Sequence, residues 1–148
     1  MTKFSFRLES ILQIKLKLEE QAKMEFGAAK MRLNEEEEKL ETLKQKKENY
    51  ERELKKLYTN DLDVMMINHT ASAITIVDGQ IKTQVFAVKR AEKQVELASN
   101  KLSTVMQERK SMEKLKETKF AEYMREYNEE ESKQTDELIS YQYGKVED

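Results

Sequence analysis

The side chains that could perform chemistry in this chain are few. His69 is the single histidine and cysteine is absent, so the sequence lacks the ligands for a histidine and cysteine zinc site. The run Glu35–Glu38 could attract cations, but consecutive acids are more typical of a solvated helix face. Gly27, Gly79 and Gly144 are isolated and do not form a glycine-rich phosphate loop. We therefore predict a protein that is not an enzyme and that binds no cofactor or metal.

The composition points to long helices and away from several classes of protein. Charged residues make up 38% of the 148 residues and apolar residues another 38%. This apolar fraction is low for a compact globular protein. Proline is absent, which favours uninterrupted helices. The net charge of -2 argues against nucleic acid as a partner. The sequence has no apolar run of about 18 residues and no secretory signal, so we expect a soluble, cytoplasmic protein.

A helical seam runs through the first part of the chain. Its members recur at steps of three and four residues, the spacing of a coiled coil. They are Phe4, Leu8, Ile11, Lys15, Leu18, Ala22, Glu25, Ala29, Leu33, Glu36, Leu40, Leu43, Lys47, Tyr50, Leu54 and Leu57. The polar members Lys15, Glu25, Glu36 and Lys47 are predicted to fix the register of a partner helix. An irregular step after Ala29 predicts local unwinding of the supercoil.

The helical spacing fails in the stretch NDLDVMMINHTAS, residues 60–72. Its asparagine, aspartate and threonine residues favour turns and helix caps. We predict a turn at about 60–72, with a short helical piece around Leu62 to Ile67 and with Thr70 or Ser72 as the cap of the next helix. His69 is then a solvated residue of this turn.

The stretch ITIVDGQIKTQV, residues 74–85, locally resembles a β-hairpin, because Asp78-Gly79 is a strong turn signal between β-branched residues. The coiled-coil spacing nevertheless passes through it along Ile74, Val77, Ile81, Gln84, Val88, Ala91, Val95, Ala98, Leu102, Val105, Arg109 and Met112. Because an isolated hairpin is only marginally stable in water, we predict that Asp78-Gly79 lies within a helix. The spacing continues at Phe120, Met124, Tyr127, Glu131, Gln134, Leu138 and Tyr141, and Gly144 is the predicted C-terminal cap.

These patterns predict an all-α protein in which two long helices form an antiparallel coiled-coil hairpin. Residues 1–148 make one hairpin domain, with helix one at about 4–59, the turn at about 60–72 and helix two at about 73–143. A parallel dimer of one continuous helix is the alternative, and the break at 60–72 argues against it.

Near the N-terminus the apolar residues exceed what one seam requires. Those outside the seam are Phe6, Leu12, Ile14 and Leu16. A helix that is apolar on several faces predicts a second neighbour. That neighbour is either a partner protein or the C-terminal helix, which carries the additional apolar residues Ile139 and Tyr143. A membrane surface is a weaker alternative, because lysines alternate with the apolar residues here.

The second helix is basic in its middle and acidic toward its end. The basic part spans residues 89–119, and the acids are concentrated within residues 126–137. The simpler interpretation is that these are solvated flanks that pair across the hairpin. The alternative is an electrostatic field that steers a charged partner.

The two ends of the chain carry recognisable motifs. The start, FSFRLESILQIKLKLEEQAK, has an aromatic-x-aromatic-x-Leu-Glu pattern at Phe4, Phe6, Leu8 and Glu9. The end, ERKSMEKLKETKFAEYMREYNEEESKQTDELISYQY, has Glu-Arg-Lys, then Glu-Lys-Leu, then a late Glu-x-Lys-x-x-Asp-Glu run. Both ends resemble the bacterial flagellar export protein FliJ family. From about residue 39 to about residue 101 the chain resembles coiled coils only in general.

The resemblance implies a small antiparallel coiled coil similar to the central stalk of rotary ATPases. It implies a non-enzymatic component of the flagellar type III export apparatus that binds and stimulates the hexameric export ATPase. The further partners it implies are the membrane-embedded export gate and export chaperones or substrates, at the cytoplasmic face of the membrane. On this reading we expect contact with the ATPase ring at Phe4, Phe6, Leu8, Ile11, Leu12, Leu138 and Tyr141. A self-associating structural spacer and a chaperone that holds unfolded clients are the rival hypotheses.

Overall fold

The computed structural model describes residues 2–59 and 63–147, with side chains described as far as Gly144. These residues form two helices, α1 (Glu9–Thr59) and α2 (Val64–Glu147), and no strand. The predicted all-α, two-helix hairpin is therefore confirmed. In the described part of the chain, neither helix has a stretch apolar enough to cross a bilayer.

The chain divides into two compact units, each made from parts of both helices. Unit 1 contains Met1–Glu20 and Thr104–Asp148, and unit 2 contains Gln21–Ser103. The organisation of residues 1–148 as a single domain stays a prediction.

Unit 2 contains the regular part of the coiled coil. Glu25 pairs with Lys101, Glu36 with Gln84, and Lys47 with Asp78. The residue number of the partner in α2 decreases as that in α1 increases, so the helices are antiparallel. All predicted seam members of α1 from Ala22 to Leu57 are buried or half-buried. In α2, Val77, Val88 and Ala91 form the most buried part of the apolar core.

The antiparallel pairing also holds within unit 1, but here the seam of α1 differs from the prediction. Ile11 and Leu18 are 41% and 40% exposed, whereas Leu12 and Glu19 are only 4% and 5% exposed. The buried positions next to them in α1 are therefore one residue later than predicted. Glu19 can be buried because Arg109 of α2 binds its carboxylate, and this contact turns that face of α1 toward α2.

The second helix starts earlier than the predicted residue 73. Asp63 caps α2, because its Oδ1 accepts hydrogen bonds from the backbone N–H groups of Met65 (3.1 Å) and Met66 (3.3 Å). Thr70 is buried inside the helix instead of capping it, and His69 is an exposed helical residue. The remaining predicted turn residues, 60–62, lie outside the described residues.

The other helix ends also differ from the prediction. Residues 2–6 are not helical, and α1 begins at Glu9, whose N–H donates to the carbonyl of Phe6 at 3.0 Å. The predicted cap at Gly144 is wrong, because α2 continues through it to Glu147 and no described glycine has a positive φ. Gly79 is likewise helical, which confirms that Asp78-Gly79 does not form a hairpin turn.

Candidate functional site

An aromatic cluster holds the N-terminal segment of unit 1 against α2. The ring of Phe4 packs edge-on against Phe120, with centroids 5.1 Å apart, and lies 5.5 Å from Tyr123. The Tyr123 hydroxyl donates a hydrogen bond to the carbonyl of Thr2 at 2.7 Å. Tyr127 extends the cluster, 6.3 Å from Tyr123. Aromatic contacts of this kind stabilise a structure beyond the effect of the apolar area that they bury. They therefore hold the start of the chain opposite Phe120–Tyr127.

A partly buried ionic cluster fixes α1 against α2 in the same unit. Arg109 donates to both carboxylate oxygens of Glu19 and, through Nη1, to Glu113 at 2.8 Å. Hydrogen bonds to Glu19 and then Glu113 raise the pKa of Arg109 above its ordinary value, so the guanidinium stays charged. The bidentate geometry defines one rotational setting of α1 relative to α2.

Two exposed ion pairs flank this cluster. Lys15 binds Glu108 and Lys116 binds Glu9, each at 2.8 Å between nitrogen and oxygen. The hydrogen bond from Lys116, followed by that from Gln13, lowers the pKa of Glu9 below its ordinary value. A single exposed ion pair contributes little to stability. We therefore infer that these two pairs align α1 with α2 and stabilise the fold only slightly.

The setting of α1 leaves an apolar row on its outer side. Ile11, Ile14 and Leu18 are 41%, 55% and 40% exposed, and their spacing of three and four residues places them on one face. We call these three residues the α1 stripe. Its neighbours Arg7 and Lys17 are exposed cations. The stripe is a small apolar surface with a positive border.

The end of α2 has a second exposed surface. We call residues 128–144 the α2 tail; every one of them is exposed. Glu131, Gln134, Leu138 and Tyr141 continue the seam spacing beyond the aromatic cluster, so they share one face. At the start of that face, the hydrogen bond from Tyr127 to Glu131 raises the pKa of the Tyr127 hydroxyl.

The structure divides the residues predicted to contact a partner. Phe6 and Leu12 are buried, and Phe4 and Leu8 are half-buried. Contact of these four residues with a partner stays a prediction. Three of the predicted residues are exposed, namely Ile11 at 41% and both Leu138 and Tyr141 at 63%.

The structure does not bring the predicted N-terminal and C-terminal residues together. Phe120 packs on Phe4, and a helix rise of 1.5 Å per residue places Leu138 about 27 Å further along α2. Sequence reasoning missed Tyr123 as the residue that holds the N-terminal segment. The spacing of the aromatic residues at 120, 123 and 127 was the available signal.

Together, the antiparallel pairing, the polar contacts between the helices and the exposed end of α2 define a two-helix coiled-coil protein of the helical-hairpin class. The family model described as Flagellar FliJ protein matches residues 4–147, and the chain belongs to this family. It is therefore a component of the flagellar export apparatus. The comparison with curated proteins gave no match, and neither did the comparison with solved structures.

Proposed function

We propose that this protein binds the hexameric ATPase of the flagellar export apparatus like a central stalk and raises its ATP turnover. The protein performs no reaction of its own in this role. The observation that carries the proposal is the α2 tail, whose seam face continues beyond the aromatic cluster and is exposed. Membership of the FliJ family supplies the identity of the partner.

The α2 tail has the chemistry of a contact that can be made and released. Leu138 and Tyr141 offer apolar area at 63% exposure each, while Glu131 and Gln134 keep the same face partly polar. A single helix is only about 10–12 Å wide with its side chains, which is narrow enough to enter the axis of a protein ring. Contacts of mixed polarity let one asymmetric helix sit inside a symmetric ring without binding one subunit too tightly.

Ile11 of the α1 stripe is the remaining exposed residue of the predicted contact. We assign it a secondary part, at the rim of the ring. We also propose, on the family resemblance alone, that the protein links the ATPase to the export gate at the cytoplasmic face of the membrane. Export chaperones or substrates are further proposed partners, and no residues are assigned to them.

The test is the ATPase activity of the cognate export ATPase with and without this protein. We expect the wild-type chain to increase turnover and the double variant Leu138→Ser/Tyr141→Ser to lose most of the increase. Both positions are exposed, so circular dichroism should show unchanged helix content.

Ile76→Ser is the matched control, because Ile76 is 64% exposed in unit 2 and should not contact the ring. Full stimulation by the tail variant would show that the tail does not make the contact. The absence of stimulation by the wild-type chain would reject the stalk role and favour a structural spacer.

A further inference from the structure

Two surfaces of unit 1 carry opposite charge. Residues 2–18, which include the α1 stripe, have four cations against one anion: Lys3, Arg7, Lys15 and Lys17 against Glu9. The α2 tail has five anions against one cation: Glu129, Glu130, Glu131, Asp136 and Glu137 against Lys133. Each surface also presents exposed apolar side chains. The two surfaces are therefore complementary in charge and both have apolar area to bury.

The charges at the border of the α1 stripe are available to a partner. Arg7 and Lys17 form no ion pair with any residue that the structure describes, whereas Lys15 is held by Glu108. Beside these cations lie Ile11, Ile14 and Leu18, which are 40–55% exposed. From Glu9, the first residue of α1, to Leu18 the surface is about 14 Å long.

The α2 tail matches this surface in length and pattern. Its face from Glu131 to Tyr141 is about 15 Å long, with Leu138 and Tyr141 as the apolar members. Glu137 lies beside that face, one position before Leu138, and is exposed. A helix with this face would place apolar groups on the stripe and carboxylates near Arg7 and Lys17.

The tail cannot cover the stripe of its own chain. Phe4 packs on Phe120 of α2, and the tail extends along α2 away from that contact, so Leu138 is about 27 Å beyond it. The stripe lies in the opposite direction, from Ile11 onward in α1. The complementary surface must therefore come from a different molecule.

We propose that a second copy of this chain supplies it: the α2 tail of each copy covers the α1 stripe of the other in a two-fold symmetric dimer. Because every copy carries both surfaces, a two-fold axis that makes both contacts at once closes the assembly at two chains. The surfaces are short, so the dimer is weak and depends on salt. This pairing goes beyond the proposed function and does not depend on binding of the ATPase.

The first measurement is sedimentation equilibrium of the full chain from about 5 to about 500 µM, at low and high salt. We expect a monomer–dimer equilibrium that weakens several-fold when salt rises from about 0.05 to about 0.5 M. Ile14→Ser should weaken the dimer about tenfold, because it removes one buried side chain from each of two contacts. The control Ile76→Ser, at a similarly exposed position in unit 2, should have no effect.

The decisive experiment uses charge reversal on one surface at a time. Arg7→Glu/Lys17→Glu reverses the charges at the border of the stripe, and Glu131→Lys/Glu137→Lys reverses the charges beside the apolar face of the tail. In either variant alone these facing charges have the same sign, so neither variant should dimerise alone. An equal mixture of the two should form a heterodimer, because in both of its contacts the charges at positions 7 and 17 are opposite to those at positions 131 and 137.

Two outcomes would overturn the proposal. One is a wild-type chain that stays monomeric over the whole concentration range. The other is a dimer that is unaffected by Ile14→Ser and by both charge-reversed variants, since it would use a different surface.

Discussion

Arg109 and Glu19 form a bidentate ion pair inside the apolar seam of unit 1, with 2.7 Å from Nε to Oε2 and 3.1 Å from Nη2 to Oε1. Glu19 is only 5% exposed, so its carboxylate has given up most of its contact with water. Each partner compensates the charge of the other, so the loss of one leaves the other without its bidentate partner and should destabilise the fold. Its geometry decides which side of α1 faces α2.

The first prediction concerns the coupling between these two side chains. Glu19→Leu leaves Arg109 without its bidentate partner, and Arg109→Leu removes that partner from the buried carboxylate of Glu19. Each single variant should be clearly less stable than the double variant Glu19→Leu/Arg109→Leu, in which no charge is stranded. Urea unfolding of the four proteins measures this coupling, and additive effects would show that the two side chains act independently.

The second prediction tests the seam position that the ion pair imposes on α1. Leu12 is 4% exposed and Ile11 is 41% exposed. Leu12→Ala should lower the free energy of unfolding by about 2–3 kcal/mol, because it leaves a cavity in the core. Ile11→Ala should lower it by less than about 1 kcal/mol, because Ile11 is largely hydrated in the folded state. Equal losses in urea unfolding would mean that the interface does not have this setting.

The third prediction concerns the helical conformation at Gly79. A Cβ atom added at Gly79 would meet nothing within 4 Å, and no described glycine has a positive φ. Gly79→Ala should therefore raise the free energy of unfolding by about 1 kcal/mol, the helix-propensity difference. Gly27→Ala, at a second open position in a helix, is the matched control with the same expected gain. A loss of stability at position 79 alone would indicate a turn there.

The fourth prediction concerns the acid side of the stability profile. Gln84 donates to the Glu36 carboxylate at 2.6 Å, and this bond, followed by attraction to Lys39, lowers the pKa of Glu36 below 4.5. Because the folded-state pKa is the lower one, ionised Glu36 stabilises the fold above about pH 4.5, and this contribution disappears as pH falls through the folded-state pKa.

The measurement compares the wild-type chain with Glu36→Gln by urea unfolding at about pH 6 and about pH 3. The wild-type advantage should be present at the higher pH and shrink at the lower one. Glu37→Gln, at an exposed neighbouring position, should retain the wild-type dependence. A wild-type advantage that does not change with pH would show that ionisation of Glu36 does not stabilise the fold.

The regular coiled coil of unit 2 could be predicted from the sequence because periodicity alone determines which residues a long helix can bury together. The polar seam members Lys15, Glu25, Glu36 and Lys47 were predicted to interact with a partner helix, and each of them bonds to a residue of α2. The same regularity overrode the local turn signal at Asp78-Gly79, since Asp78 in the helix binds Lys47 at 2.7 Å. The spacing of the seam residues was therefore sufficient to predict how the two helices of unit 2 pack.

In unit 1 the sequence determined only that the N-terminal helix has more apolar residues than one seam can bury. Two settings of α1 fit the spacing almost equally well, and they differ in whether Leu12 or Ile11 faces α2. The sequence of α1 alone argues against burial of Glu19, because burying a carboxylate is costly. Arg109 on the opposite helix binds this carboxylate and makes the observed setting the stable one. That long-range contact determines which side chains remain exposed in the α1 stripe, because hydrophobic spacing cannot show where a charge partner lies.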